Sequence, residues 1–134
     1  MAITVARPVV IKAIVTESFK RLYTQELQTA IGRVEELMNQ LDAQIRRTEL
    51  ERQITPQARA IRQQLELERA RQESARLELQ ARLREADTLE LNSEFPQGTI
   101  DSFTEVKIGD NLFQKIGRTE IVVKDGIIVE VREE

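Results

Sequence analysis

The chain has 134 residues and a net charge of −3; 32% of its residues are charged, 40% hydrophobic and only 4% aromatic. It contains no cysteine, histidine or tryptophan, which excludes thiol nucleophiles, imidazole bases, disulfides and nearly every zinc or copper site. This is one domain's length, and abundant charge with few aromatics suits long solvated helices better than a large core.

From Ile3 to Val15 β-branched residues dominate. Val9, Ile11, Ala13 and Val15 fall on one side of a two-residue alternation, with Val10, Lys12 and Ile14 on the other, so the segment is predicted to be a strand. Its longest apolar run, Val9 to Val15, is interrupted by Lys12 and is too short for a secretory or membrane-spanning segment. The expected address is cytoplasmic, without membrane insertion, and the lack of cysteine agrees with that. Thr16 is the expected N-cap of a helix, with Glu17 favourable in its first turn.

Phe19 to Ile54 contains no proline. Leu27, Ile31, Val34, Met38, Leu41 and Ile45 recur at alternating spacings of four and three, which is a heptad seam, widened on one flank by Tyr23, Ala30 and Leu37. Gly32 inside this helix reflects tolerance rather than a packing need. Thr55-Pro56 is a helix restart, with threonine at the cap and proline at the first helical position, so the first helix should stop near Ile54. A second helix is predicted from Pro56 to about Leu91. Its seam is Ile61, Leu65, Glu68, Gln72, Ala75, Leu79, Arg82, Ala86 and Leu89, and Leu67, Ala70, Leu77 and Ala81 form a second, offset stripe. Asn92 can close this helix, and Pro96 prevents its resumption.

After Pro96-Gln97-Gly98 the period returns to two. Phe103 to Ile108 is predicted as a strand, and Thr119 to Val123 with Ile127 to Val131 as a hairpin. A three-residue loop with a left-handed Gly126 is expected there, pairing Val123 with Ile127 and Ile121 with Val129, because it gathers the apolar side chains on one face.

The two helices have matching lengths of about 50 to 57 Å at 1.5 Å per residue, so folding back at Ile54-Thr55-Pro56 would return both chain ends to one place. The expected fold is α+β. A small antiparallel, barrel-like β module (residues 1–15 with 95–134) carries a long antiparallel helical hairpin, or coiled coil (residues 16–94), whose tip lies near residues 54–56. Ser18 and Glu90 should be neighbours. Phe95, Phe103 and Phe113 are the expected large core side chains of the module, with Phe19, Leu22, Leu89 and Leu91 as cover.

The opening Val9-Val10-Ile11-Lys12 running into Thr16-Glu17, the charged helical middle, and the ending Val106-Lys107-Ile108-Gly109-Asp110 with Glu120-Ile121-Val122-Val123-Lys124-Asp125-Gly126-Ile127-Ile128-Val129-Glu130-Val131-Arg132 resemble the YlqD family of bacterial proteins. The resemblance rests on residues at both ends and on composition in the middle. It implies no established activity and a cytoplasmic setting, since some members are encoded near genes for translation and ribosome maturation. Here the arm's positive charge is all arginine, where relatives are richer in lysine. The family supplies no functional residue to carry over.

Candidate acid-base groups are limited to Asp, Glu, Lys, Arg and Tyr23. The pairs Glu35-Glu36, Glu49 with Glu51, and Glu66 with Glu68 lie on helices expected to be solvated, where no cleft would perturb them. Asp101, Asp110 and Asp125 are assigned to turns, where aspartate bonds nearby backbone. No catalytic, cofactor or metal site, and no small-molecule substrate, is expected.

Charge is unevenly spread. Residues 1–45 balance to zero, residues 46–84 carry +4 and residues 85–134 carry −7. All ten basic residues of the middle segment are arginine, the better fork for phosphate. Arg46, Arg47, Arg52, Arg59 and Arg62, around the expected tip, are candidate RNA or ribosome contacts. Glu49, Glu66, Glu73 and Glu78 lie at helical spacing to form ordinary surface ion pairs with them and with the other arginines. Leu67, Ala70, Leu77 and Ala81 are candidate self-association residues, with a two-fold homodimer the expected form. The leading functional expectation is a non-enzymatic interaction protein that uses its helical arm to bind a protein partner, with the translation machinery as one expected setting; RNA binding at the arginine-rich tip is the alternative.

Overall fold

A computed structural model of the chain describes residues 1–50 and 55–133. Arg52 and Ile54 of the expected tip lie outside the described residues. The chain divides into two units: residues 1–20 with 89–134, and residues 21–88. Its elements in order are β1 (Ala2–Ile14), α1 (Glu17–Glu49), α2 (Pro56–Asp87), β2 (Glu94–Lys107), α3 (Leu112–Lys115), β3 (Thr119–Lys124) and β4 (Ile127–Glu133). The class is mixed α+β.

In the first unit the strands form one open sheet in the order β2-β1-β3-β4. A barrel is not formed. β2 and β4 are its two edges, and β3 and β4 are too short to accompany more than part of β1. Nor is the sheet wholly antiparallel, because Val9–Ala13 of β1 pair in parallel with Thr119–Val123 of β3. The path of the chain explains the direction. β2 runs antiparallel to β1 until Lys107 lies opposite Ala2, so the chain must travel back before β3 can begin beside Val9. The return passes through α3, absent from the sequence reading, which Asn111 caps by accepting from the Gln114 N–H at 3.2 Å.

β2 begins nine residues earlier than the alternation at Phe103 suggested. Its register slips between Ile11, opposite Gly98, and Lys12, opposite Pro96, leaving Gln97 as a bulge. An edge strand tolerates a proline beside such a bulge because the missing N–H is not needed for a ladder. The β3–β4 connection also differs from expectation. Asp125 (φ 50°) and Gly126 (φ 85°) are both left-handed, and Lys124 pairs with Ile127. This is a two-residue loop with the positive φ pair of a type I′ turn, whose twist matches the flanking strands. The phase conflict that argued against it is resolved downstream. Val123 pairs with Ile128 but Val122 with Glu130, so Val129 bulges and Ile121 comes to face Val131.

Val9, Ala13, Val15 and Val122 form the buried core of this unit, with Thr119 buried beside them. Phe95 meets the Phe19 ring at a centroid distance of 5.4 Å. Phe103 and Phe113 are not core residues, being 71% and 81% exposed. Phe103 lies opposite Ala6, where the sheet is only a two-stranded ribbon because β3 starts at Val9. Leu22 and Leu91 are exposed as well. The unit closes on itself through backbone bonds: the Val15 N–H donates to the Ser93 carbonyl and the Asn92 N–H to the Val15 carbonyl, each at 2.8 Å. The Lys20 ammonium donates to the Leu89 carbonyl at 3.0 Å. Asn92 (φ 70°) does not cap α2, which ends at Asp87 with Thr88 as its cap; it forms the left-handed turn that brings this segment onto Val15. Thr16 caps α1 by accepting from the Phe19 N–H at 3.0 Å and donates to Asp125 Oδ1 at 2.7 Å.

In the second unit α1 buries Leu27, Ile31, Met38 and Leu41, with Val34 and Ile45 half-buried, the residues of the heptad seam. Thr55 has extended geometry and accepts from the Ala58 N–H at 3.0 Å, with Pro56 at the first helical position. α2 buries Ala86 and half-buries Leu65, Glu68, Gln72, Ala75 and Leu79. Arg82 is exposed and Leu83 is half-buried in its place. Ile61 is exposed too. Arg69 pairs with Asp42 at 2.6 Å and Arg62 with Glu49 at 3.1 Å; that register places Ile61 level with Leu50, past the end of α1.

Two glycines test this account. A Cβ at Gly32 would meet nothing within 4 Å, whereas Gly126 needs positive φ. Gly32→Ala should raise stability by about 0.5 to 1 kcal/mol, and Gly126→Ala should lower it by about 1 to 2 kcal/mol, as read from urea unfolding midpoints.

Candidate functional site

Helical spacing alone made the arginines look equivalent, but the structure divides them. Arg62 is held by two carboxylates, Glu49 at 3.1 Å and Glu66 at 3.2 Å. Arg69, Arg71, Arg76 and Arg82 pair with Asp42, Glu68, Glu73 and Glu78. Arg47 and Arg59 are exposed and form no ion pair among the described residues, and exposed Arg46 adds its charge to the field at Asp42. Of the five candidate phosphate contacts, three therefore form no ion pair among the described residues, Arg62 is engaged, and Arg52 lies outside them.

The candidate self-association residues fall together. At 100° per residue, Leu67, Ala70, Ser74, Leu77 and Ala81 share one face of α2, opposite the face of Leu65, Gln72, Leu79 and Ala86. Leu67 and Leu77 are 56% and 55% exposed, Ala70 and Ser74 are exposed, and Ala81 is half-buried. The offset stripe is thus an outer surface of α2.

The sheet unit presents apolar surface as well. On β4, Ile127, Ile128, Val129 and Val131 are exposed. An open groove of about 390 Å³ is lined by Met1, Ile3, Val106, Ile108 and Leu112, with Lys107 and Asp110 at its polar margin.

With this geometry in place, comparison with known proteins decides the family. The family model described as YlqD protein matches residues 3–132. The chain belongs to the YlqD family. Among solved structures, it resembles the crystal structure of a protein of unknown function from Synechococcus sp. WH 8102, with a TM-score of 0.81 and 25% identity over 99% of this chain and 96% of that one. No curated protein matches.

Two of the three aspartates assigned to turns in this YlqD protein have structural partners. Asp110 accepts from the Lys107 N–H at 3.0 Å and Asp125 from Thr16. Asp101 is not in a turn but in β2, opposite Pro8. Among the described residues no group of three or more acidic side chains could hold a metal ion, and no helix is long and apolar enough to cross a membrane. A charge network missed by the sequence reading links all four strands. Glu120 on β3 meets Lys12 on β1 at 3.2 Å and Arg132 on β4 at 3.5 Å, and Arg132 reaches Glu94 on β2 at 2.6 Å. The two-residue spacing of Glu130 and Arg132 was the available signal, since it places these charges on one face of a strand.

The hydrogen bond from Lys12 holds the Glu120 carboxyl below its ordinary range, and that from Arg69 does the same for Asp42. Both groups therefore bind protons more weakly in the folded than in the unfolded chain, and their contribution is present above the unfolded pKa and lost as pH falls through the folded one. Glu120→Gln and Asp42→Asn should each lower the thermal midpoint at neutral pH, and the difference from the unsubstituted protein should close between about pH 4 and pH 2.

Proposed function

We propose that this YlqD protein is a non-enzymatic interaction protein of the cytoplasm whose α1 and α2 form an antiparallel coiled-coil hairpin that presents the outer face of α2 to a protein partner. The observation that carries this reading is the pair of leucines, Leu67 and Leu77, more than half exposed on the side of α2 turned away from its seam. The hairpin is supported by the cross-helix pairs Asp42–Arg69 and Glu49–Arg62, which run in opposite directions along the two helices. It is further supported by the bonds joining Val15 to Ser93 and Lys20 to Leu89. The link to translation comes from the family resemblance. RNA binding by the arm is a second reading, favoured by Arg46, Arg47 and Arg59, which form no ion pair among the described residues.

Affinity capture from native cytoplasm at about 0.1 M and about 1 M salt separates the two, because phosphate contacts are screened and apolar packing is not. The expected result is a protein partner retained at both concentrations and lost from the Leu67→Glu/Leu77→Glu variant. Recovery of RNA at low salt only, unaffected by the leucine changes and abolished by replacing Arg46, Arg47 and Arg59 with glutamine, would transfer the function to the arginines.

A further inference from the structure

Resting on the reading of α2's outer face as a contact surface, we infer that its occupant is a second copy of this chain, packed antiparallel along Leu67–Ala81 in a register fixed by Arg71 against Glu78 of the other copy. The stripe Leu67, Ala70, Ser74, Leu77, Ala81 advances by three, four, three and four residues, the spacing of a two-helix seam. In a two-fold antiparallel contact centred between Ala75 and Arg76, Ser74 faces Leu77, Ala70 faces Ala81, and Leu67 at each end lies along the aliphatic stem of Arg84 of the second copy. Each contact occurs twice, and the alanines let the helices approach closely.

Charge selects this register. One flank of the stripe carries Arg71 and Glu78, both exposed. Arg71 is 68% exposed and only loosely held, 3.6 Å from Glu68, while Glu78, 65% exposed, meets Arg82 through Oε1 at 2.7 Å, so its Oε2 is the oxygen that would face the second copy. In the centred register Arg71 lies beside Glu78 of the second copy, and by symmetry the same pair forms again. Sliding by one heptad towards the N-terminus sets Arg71 against Arg71; sliding the other way brings Arg71 to Glu85 but sets Glu78 against Glu78 and Glu73 against Asp87 twice and puts Arg84 opposite Ser74 in the seam, so each neighbouring register introduces like charges. On the opposite flank Glu73 meets the neutral Gln80. At the ends Glu66 approaches Asp87 of the second copy, but Glu66 is already paired with Arg62. The core contact spans about 21 Å of helix, at the small end of specific interfaces, so a reversible micromolar dimer is the expected strength.

The test is sedimentation of the purified full chain from about 1 to about 500 μM. The unsubstituted protein should pass from monomer to dimer in this range. Arg71→Glu and Glu78→Arg should each weaken dimerisation about tenfold, since each replaces two attractions by two repulsions, and the double variant should return to within about threefold of the starting value, which also shows that the single variants fold. A protein that stays monomeric to about 500 μM, or a dimer indifferent to both single changes, overturns the inference. If the leucine-dependent capture of another protein persists while the chain is monomeric, the outer face is a contact surface whose occupant is not a second copy.

Discussion

β1 and β2 pair along their whole length, from Ala2 opposite Lys107 to Ile14 opposite Glu94, although residues 15 to 93 separate them. The sheet is therefore a hairpin whose connection is the pair of long helices. Closing a connection of that length costs about 4 kcal/mol on a flexible-chain estimate, and the helices reduce the freedom that must be lost because most of the connection is already ordered. The bonds around Val15, Asn92 and Ser93 are where the two ends of the connection are fastened. β3 is then added on the free side of β1, which makes β1 a central strand and leaves β2 an edge.

The two helices bury apolar residues unequally. α1 places four fully buried hydrophobic side chains in its seam, while α2 contributes only Ala86 as a fully buried one, with Glu68, Gln72 and Arg76 among its half-buried positions. Gln72 donates to Glu68 at 2.9 Å and Arg76 to Glu73 at 2.6 Å, so the polar stretch of this seam is satisfied partly within α2 itself. α2 thus turns few large apolar residues inward and keeps two of its leucines, Leu67 and Leu77, on its outer side.

Local chemistry was legible in the sequence wherever a single element decided it. The α1 seam, the Thr16 and Thr55 caps and the restart at Pro56 all depend on spacing within one helix, and the structure has them where the spacing put them. What depended on neighbours was not legible. Alternation cannot say whether a strand is joined in parallel, so β3 was placed in an antiparallel barrel. Nor can it show that Phe103 lies beyond the end of β3 and has no layer to cover it. The hairpin loop failed for a related reason: phase counting assumes an unbroken ladder, and one extra residue at Val129 lets an Asp-Gly turn and a consistent apolar face coexist. Among the arginines, charge was readable but availability was not, since Arg62 and Arg59 differ only in which carboxylates the fold brings near.

Both free edges of the sheet are irregular, at Gln97 in β2 and at Val129 in β4. An extra residue on an outer strand throws its N–H and C=O groups out of step with any straight strand laid alongside, and Pro96 removes one donor altogether. The sheet is consequently a terminated object. It can carry Ile127, Ile128 and Val131 in the open without seeding the endless strand-on-strand stacking that such residues invite.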